Sequence, residues 1–223
     1  MKKIKIMKII LMVLVIIPSC IIIPVSGTNG GNSRLKSANL SSLERGVFRE
    51  QNEARTNPKK YARKLEATLK YYSGNIFRRP GAIGIRTREG TRAVREAIRY
   101  LRRVSPRSAM KLSRGMSKAC RDHVRDQGRR GTTGHYGSDR SSPFARMKRY
   151  GRYLSTAGEN IGYGPKRADL VVMQLIIDDG VRSRGHRKNI FNPSFKVTGI
   201  ACGSHRVYRN MCVITYAGGF IDN

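Results

Sequence analysis

Acidic residues are scarce in this chain of 223 residues: 14 Asp and Glu stand against 45 Lys and Arg, a formal net charge of +31. An excess of that size raises encounter with acidic surfaces of any kind. Cysteine is also scarce, at four. No CxxC pair or Cys/His framework occurs, which argues against a zinc finger. An HExxH helix, a GxSxG elbow, a phosphate-cradling glycine loop and a papain-like context around Cys120 are all missing. The common signatures of zinc peptidases, α/β-hydrolases and nucleotide-binding proteins are therefore absent. No aromatic-rich strand of the RNA-binding kind is present.

What is present begins with MKKIKIMKIILMVLVIIPSCIIIPVSG, in which Lys2, Lys3, Lys5 and Lys8 precede an apolar run from Ile9 to Val25. This is the layout of a secretory signal, read here as residues 1–27 with cleavage after Gly27. A retained anchor and a lipid attachment at Cys20 are the rival readings, and Pro18 and Pro24 interrupt the run that either would use. Processing lowers the formal charge to +27. Residues 28–39, rich in Gly, Ser and Asn, read as a linker. Residues 40–223 are long enough for one domain with its own core. Cys202 and Cys212 flank a turn, GSHRVYRN, between two strand-like runs, and an oxidising compartment would close them into a disulfide.

Helices are expected early and strands late, an α+β pattern. Ser41 and Glu44 form a capping box ahead of a helix that Asn57-Pro58 ends or restarts, and NIFRRPGAIG reads as a loop. A helix is expected over Thr87–Val104, with Arg88, Arg92, Arg95, Arg99 and Arg102 on one face and Val94, Ala97, Ile98 and Leu101 on the other. The next, Ser113–Gln127, repeats the scheme with Arg114, Lys118, Arg121 and Arg125 opposite Met116, Ala119 and Cys120. These stripes are either solvated faces or a surface for a polyanion such as an acidic polymer or anionic membrane. The stretch from Gly131 to Gly164 reads as Gly, Ser and Tyr rich, with a short helix over Pro143–Tyr150. A buried helix over Arg167–Asp179 and a terminal strand, turn and strand complete the chain.

Four histidines are available. His123 falls on the apolar stripe of its helix and reads as a hydrogen-bonded core residue. His205, in the terminal turn among arginines, reads as surface. His135 and His186 each follow a glycine, in GHYGSD and GHRKNI, where the glycine lets the backbone turn. Glu159, in AGENIGYG, has a similar setting. Asp178 and Asp179 close a helix at the end where carboxylates are unfavourable, so something else must hold them. Two histidines and one or two carboxylates can form a metal site or an acid and base pair; their spacing has no local signature.

Taken together, NEARTNPKKYA, GHYGSDRSSPFARMKRYG, AGENIGYG, SRGHRKNIFNPSF and GIACGSHRVYRNMCVITYAGGF resemble the ordered blocks of the CAP superfamily, of the bacterial SCP-like extracellular type. The resemblance spans roughly Leu40 to Phe220. It implies a three-layer α-β-α sandwich with a central cleft lined by two histidines and two acids, which in some members bind a divalent metal. His135, Glu159 and His186 match three of those positions, and Asp178 stands at the fourth. There Leu175 replaces the tryptophan usual three residues before the acid. Arg140 replaces the glycine usual after the aspartate of the first block. Zinc on His135 and His186 is the cofactor the resemblance suggests. The expectation is a secreted, non-enzymatic protein that binds a protein, lipid or glycan through this cleft, with no integral membrane span after processing. The alternatives are a peptidase-like hydrolase using the same cleft and a polyanion binder using the arginine stripes.

Overall fold

The computed structural model describes residues 40–223. The expected signal segment (1–27) and linker (28–39) lie outside the described residues. Helix α1 (Ser42–Thr56) starts at the expected capping box, with the Ser41 and Glu44 side chains each bonded to the other's backbone amide. Pro58 then opens α2 (Pro58–Glu66) at a position where its missing N–H costs nothing. A 3-10 turn follows at Leu69–Tyr71. The stretch expected as a loop, residues 75–84, carries one two-residue strand, β2 (Ile76–Phe77), which pairs with β1 (Tyr72–Ser73) before it and β3 (Ile85–Arg86) after it in a small antiparallel sheet; the rest of the stretch is loop.

Helix α3 covers Thr91–Arg103, four residues shorter at its start than expected. The amides of Arg88 and Glu89 are taken by the carboxylate of Asp179, and Gly90 turns the chain with φ +56°. After β4 (Lys111–Leu112), helix α4 (Arg114–Arg130) is capped by Ser113 and ends at Gly131 in the left-handed region. Then come α5 (Pro143–Lys148), β5 (Gly151–Tyr163), α6 (Ala168–Ile177), α7 (Gly185–Phe191), β6 (Val197–His205) and β7 (Arg209–Asp222).

The main sheet runs β4-β6-β7-β5, with β4 parallel to β6 and the other pairs antiparallel. Alternate residues of β7 serve opposite faces. Cys212, Ile214 and Tyr216 join the core built with α1, α2, α3, α6 and α7, whereas Met211, Val213 and Ala217 pack against α4 and α5. The chain is therefore α+β in three layers, helices over both faces of one sheet. Gly199 lets α4 approach β6 closely, because a Cβ there would strike the backbone of Met116 and Ser117.

Cys202 and Cys212 lie directly opposite in the β6–β7 hairpin, their Cα atoms 4.1 Å apart, and are joined in a disulfide. The amide of Cys202 points away from β7 and donates to Glu44 Oε1 (2.9 Å), and that of Ile200 donates to Ser117 Oγ (3.2 Å). The outer edge of β6 is thus closed by α1 and α4 rather than left open. No helix among the described residues is long and apolar enough to cross a membrane.

Candidate functional site

β5 sits at the sheet edge and brings the expected site residues together in two pairs. Glu159 and Asn160, adjacent on this strand, point to opposite faces. On the α4 and α5 side, His135 Nδ1 lies 2.9 Å from Glu159 Oε1. The Glu159 carboxylate also receives both contacts of the Arg146 Nη2 atom, at 2.9 and 3.2 Å. Arg146, on α5, spends its other Nη1 donors on the carbonyls of Ser141 (2.7 Å) and His135 (3.0 Å). The guanidinium and carboxylate side chains are each 2% exposed, and the imidazole is 48% exposed. A desolvated ion pair therefore anchors an accessible histidine.

On the opposite side, His186 Nδ1 lies 2.6 Å from Asp178 Oδ1, and the His186 amide donates to Asp178 Oδ2 at 3.0 Å. Asp178 is not in α6; it stands just past the helix end in the left-handed region, φ +57°. The unfavourable placement of acids at a helix C-terminus is resolved by cations. Arg187 donates to the carbonyls of Ile176 and Ile177, and Arg184 to those of Asp178 and Val181. Glu89 and Glu96 hold these guanidiniums in turn. Arg184 and the Gly180 amide draw the Glu89 carboxyl down to about 2. At the other end of α7, buried Arg55 takes the carbonyls of Ile190, Asn192 and Phe195.

The turn before His186 is made by Arg184, φ +53°, and not by Gly185, which is already helical. Before His135 the expected glycine does turn, Gly134 having φ +109°. Arg140 keeps a left-handed conformation, φ +61°, at the position where glycine is usual. Asn160 and Asn189 join the two pairs across β5: Asn160 donates to the His186 carbonyl and to Tyr216 Oη, and Asn189 to the Glu159 carbonyl and Asn160 Oδ1.

His135, Glu159, Asp178 and His186 thus stand as two pairs flanking one strand. Among the described residues no three His, Cys, Asp or Glu side chains come together closely enough to hold a metal ion. Among the described residues the donor set does not fit the zinc that the resemblance suggests, because each imidazole there has one acidic side chain beside it and no third ligand. His205 is buried, not on the surface. Its Nδ1 accepts from the amides of Val207 and Tyr208, and its Nε2 donates to the Thr132 carbonyl. His123 is buried as expected, donating through Nε2 to the Gly134 carbonyl (2.9 Å), and burial lowers its pKa. Burial likewise pushes the Cys120 thiol up to about 12.

The two arginine stripes do not form one surface. The apolar side of α3 faces the core on one side of the sheet, and that of α4 faces the other. Arg92 pairs with Glu89, Arg102 with Glu66, and half-buried Arg121 lies 3.7 Å from Glu44. Lys118 sits over the Tyr150 ring. Arg88 is off the helix, beside Gly180. Arg95, Arg99, Arg114 and Arg125 are exposed, with no carboxylate within ion-pair distance among the described residues.

Residues 95–216, more than half of the chain, match the model of the cysteine-rich secretory protein family, CAP. Over 91 residues the chain is 35% identical to the uncharacterized protein YkwD of Bacillus subtilis, a match covering 41% of this chain and 34% of that protein. The chain therefore spans about a third of that relative's length. Among solved structures, an outer surface protein of Borrelia burgdorferi superposes with a TM-score of 0.41 at 15% identity, over 48% of this chain and 76% of that one. An extracellular protein containing an SCP domain from Bacillus anthracis gives 0.38 at 18% identity, over 54% and 36%.

Proposed function

The chain belongs to the cysteine-rich secretory protein (CAP) family, and from that premise we propose that it is an exported binding module that holds a partner against His135 and His186 without reacting with it. The observation that carries this reading is the engagement of each imidazole, through Nδ1, by a carboxylate that is 2% exposed. A carboxylate on Nδ1 makes that nitrogen the donor, so the neutral ring presents a lone pair at Nε2. Two such acceptors suit a partner rich in hydroxyl or amide donors, a glycan or a peptide. Exposed Tyr136, next to His135 in the chain, supplies an apolar shoulder. Export is supported by the composition of residues 1–27 and by the Cys202–Cys212 disulfide, a bond that persists in oxidising compartments.

The hydrolase alternative finds no hydrogen-bonded nucleophile among the described residues. Among the described residues no Ser, Thr or Cys side chain is hydrogen-bonded to either imidazole, and Cys120 is buried against Thr215. Glycan and peptide arrays probed with the wild type and with the double variant His135→Ala/His186→Ala test the proposal. The expected result is at least a tenfold loss of affinity for any bound probe, with no turnover of peptides or esters. Unchanged binding by the double variant would sink it, and turnover that the double variant abolishes would favour the hydrolase.

A further inference from the structure

A cavity lies at the N-terminal end of α6, about 15 Å from Asp178 by the length of that helix. Its volume is about 590 Å³, enough for a small organic ligand. Tyr71, Pro80, Leu170 and Met173 give it an apolar wall. Lys64, Lys70, Arg79 and Arg167 line it too, with Asp169 as the single carboxylate.

The protein does not balance these cations. Lys64 is neutralised from outside the cavity by Glu50 (2.6 Å) and Glu53 (3.3 Å). Arg79 and Arg167 divide the one carboxylate of Asp169, at 3.0 and 2.9 Å. Lys70 makes no ion pair among the described residues; its ammonium stands 5.3 Å from the centre of the Tyr71 ring, over which the Arg79 guanidinium also sits, at 5.9 Å. Two positive charges are therefore in excess around one opening. The face of a single aromatic ring offsets only part of their repulsion. Arg79 gives one bond, from Nη1, to a protein acceptor, and buries its Nε without any. Helix α6 opens beside Arg167 with no side-chain cap, which adds the positive end of its dipole.

We propose that this cavity binds a phosphate monoester. A monoester carries a charge of about −1.5 to −2 at neutral pH, which matches the excess. Guanidinium and ammonium groups supply the donors that its oxygens need, and the apolar wall receives the organic group. The site is separate from the histidine pairs and stands or falls independently of them.

Calorimetric titration of the purified protein with 1-naphthyl phosphate tests this, with inorganic phosphate and 1-naphthol as controls. Saturable 1:1 binding is expected, at least tenfold tighter than either control. Lys70→Glu/Arg167→Glu, both at exposed positions, should weaken it at least tenfold. Arg114→Glu/Arg125→Glu makes the same change in net charge on the far side of the sheet and should alter it less than twofold, as should His135→Ala/His186→Ala. Absence of saturation, or equal loss in the two charge-reversed pairs, overturns the proposal. Sedimentation with phosphatidylcholine vesicles containing phosphatidic acid separates the sources. Co-sedimentation sensitive to Lys70→Glu/Arg167→Glu supports the site with a lipid headgroup as its ester, and retention in the supernatant beside saturable naphthyl phosphate binding supports it with a free ester.

Discussion

The two histidine–carboxylate pairs flank the same strand and are held by different physics. Glu159 faces a buried guanidinium, so its charge is compensated side chain to side chain, and Arg146 ties that pair to the loop carrying His135 through two carbonyls. Among the described residues no lysine or arginine pairs with the Asp178 carboxylate. It is held by the amide and Nδ1 of one residue, His186, and by a left-handed kink that aims it there. The cations at this second pair, Arg184 and Arg187, act one step away, on the carbonyls that end α6. The first pair is anchored by electrostatics and leaves its imidazole the more exposed. The second is anchored by backbone geometry and leaves its imidazole 26% exposed. A similar functional arrangement can therefore rest on a buried charge or on a fixed turn, and the two should fail differently.

Removing one partner of the buried pair should do the most damage. Arg146→Leu is expected to cost about 3–5 kcal/mol in urea unfolding, because Glu159 is left buried without its guanidinium. Arg146→Leu/Glu159→Leu should recover much of that loss. A double variant no more stable than the single one would show that the anchor is packing rather than charge. Asp178→Asn should cost less, about 1–2 kcal/mol, since asparagine tolerates the left-handed turn and keeps an acceptor for the His186 amide. If Asp178→Asn proves as costly as Arg146→Leu, the distinction between the pairs collapses.

The smallest effect concerns acid. The Glu89 carboxyl lies at about 2 in the folded chain, below an ordinary carboxylate value of about 4.3. Its contribution is present above that ordinary value and is lost as pH falls toward 2. Glu89→Gln should flatten the fall of the urea midpoint between about pH 4.5 and 2.5, loosening the turn that holds Asp178. An unchanged slope would remove Glu89 from the bracing of the second pair.

Sequence reasoning reached the parts of this molecule that local rules write. The Ser41–Glu44 box, the break at Pro58, the apolar faces of α3 and α4, and the Cys202–Cys212 hairpin each depend on residues close in sequence or on one turn. The first half of β5 was illegible because it is an edge strand with a bulge between Leu154 and Ala157, and burial does not alternate along it. The β1–β3 ribbon has strands of two residues, too short for any period. Of the site, His135, Glu159, Asp178 and His186 were visible through their family blocks, while their division into two pairs was not, since it depends on which face of β5 each occupies. Arg146 was missed altogether. Its only signal is a cation on the inward side of the short helix α5, and nothing local distinguishes that from a surface arginine. His205 was misread because the turn that encloses it aims two amides at its ring.

Glu44 caps the first helix with one oxygen and receives the Cys202 amide with the other. The two bonds join residues that leave the ribosome far apart in time: 158 positions separate them, about ten to thirty seconds of synthesis. The start of α1 can form early, but its carboxylate waits for the hairpin near the other end of the chain. That single side chain therefore ties the first helix directly to the terminal β6–β7 hairpin. In native-state hydrogen exchange, the amides of Glu44 and Cys202 should open together.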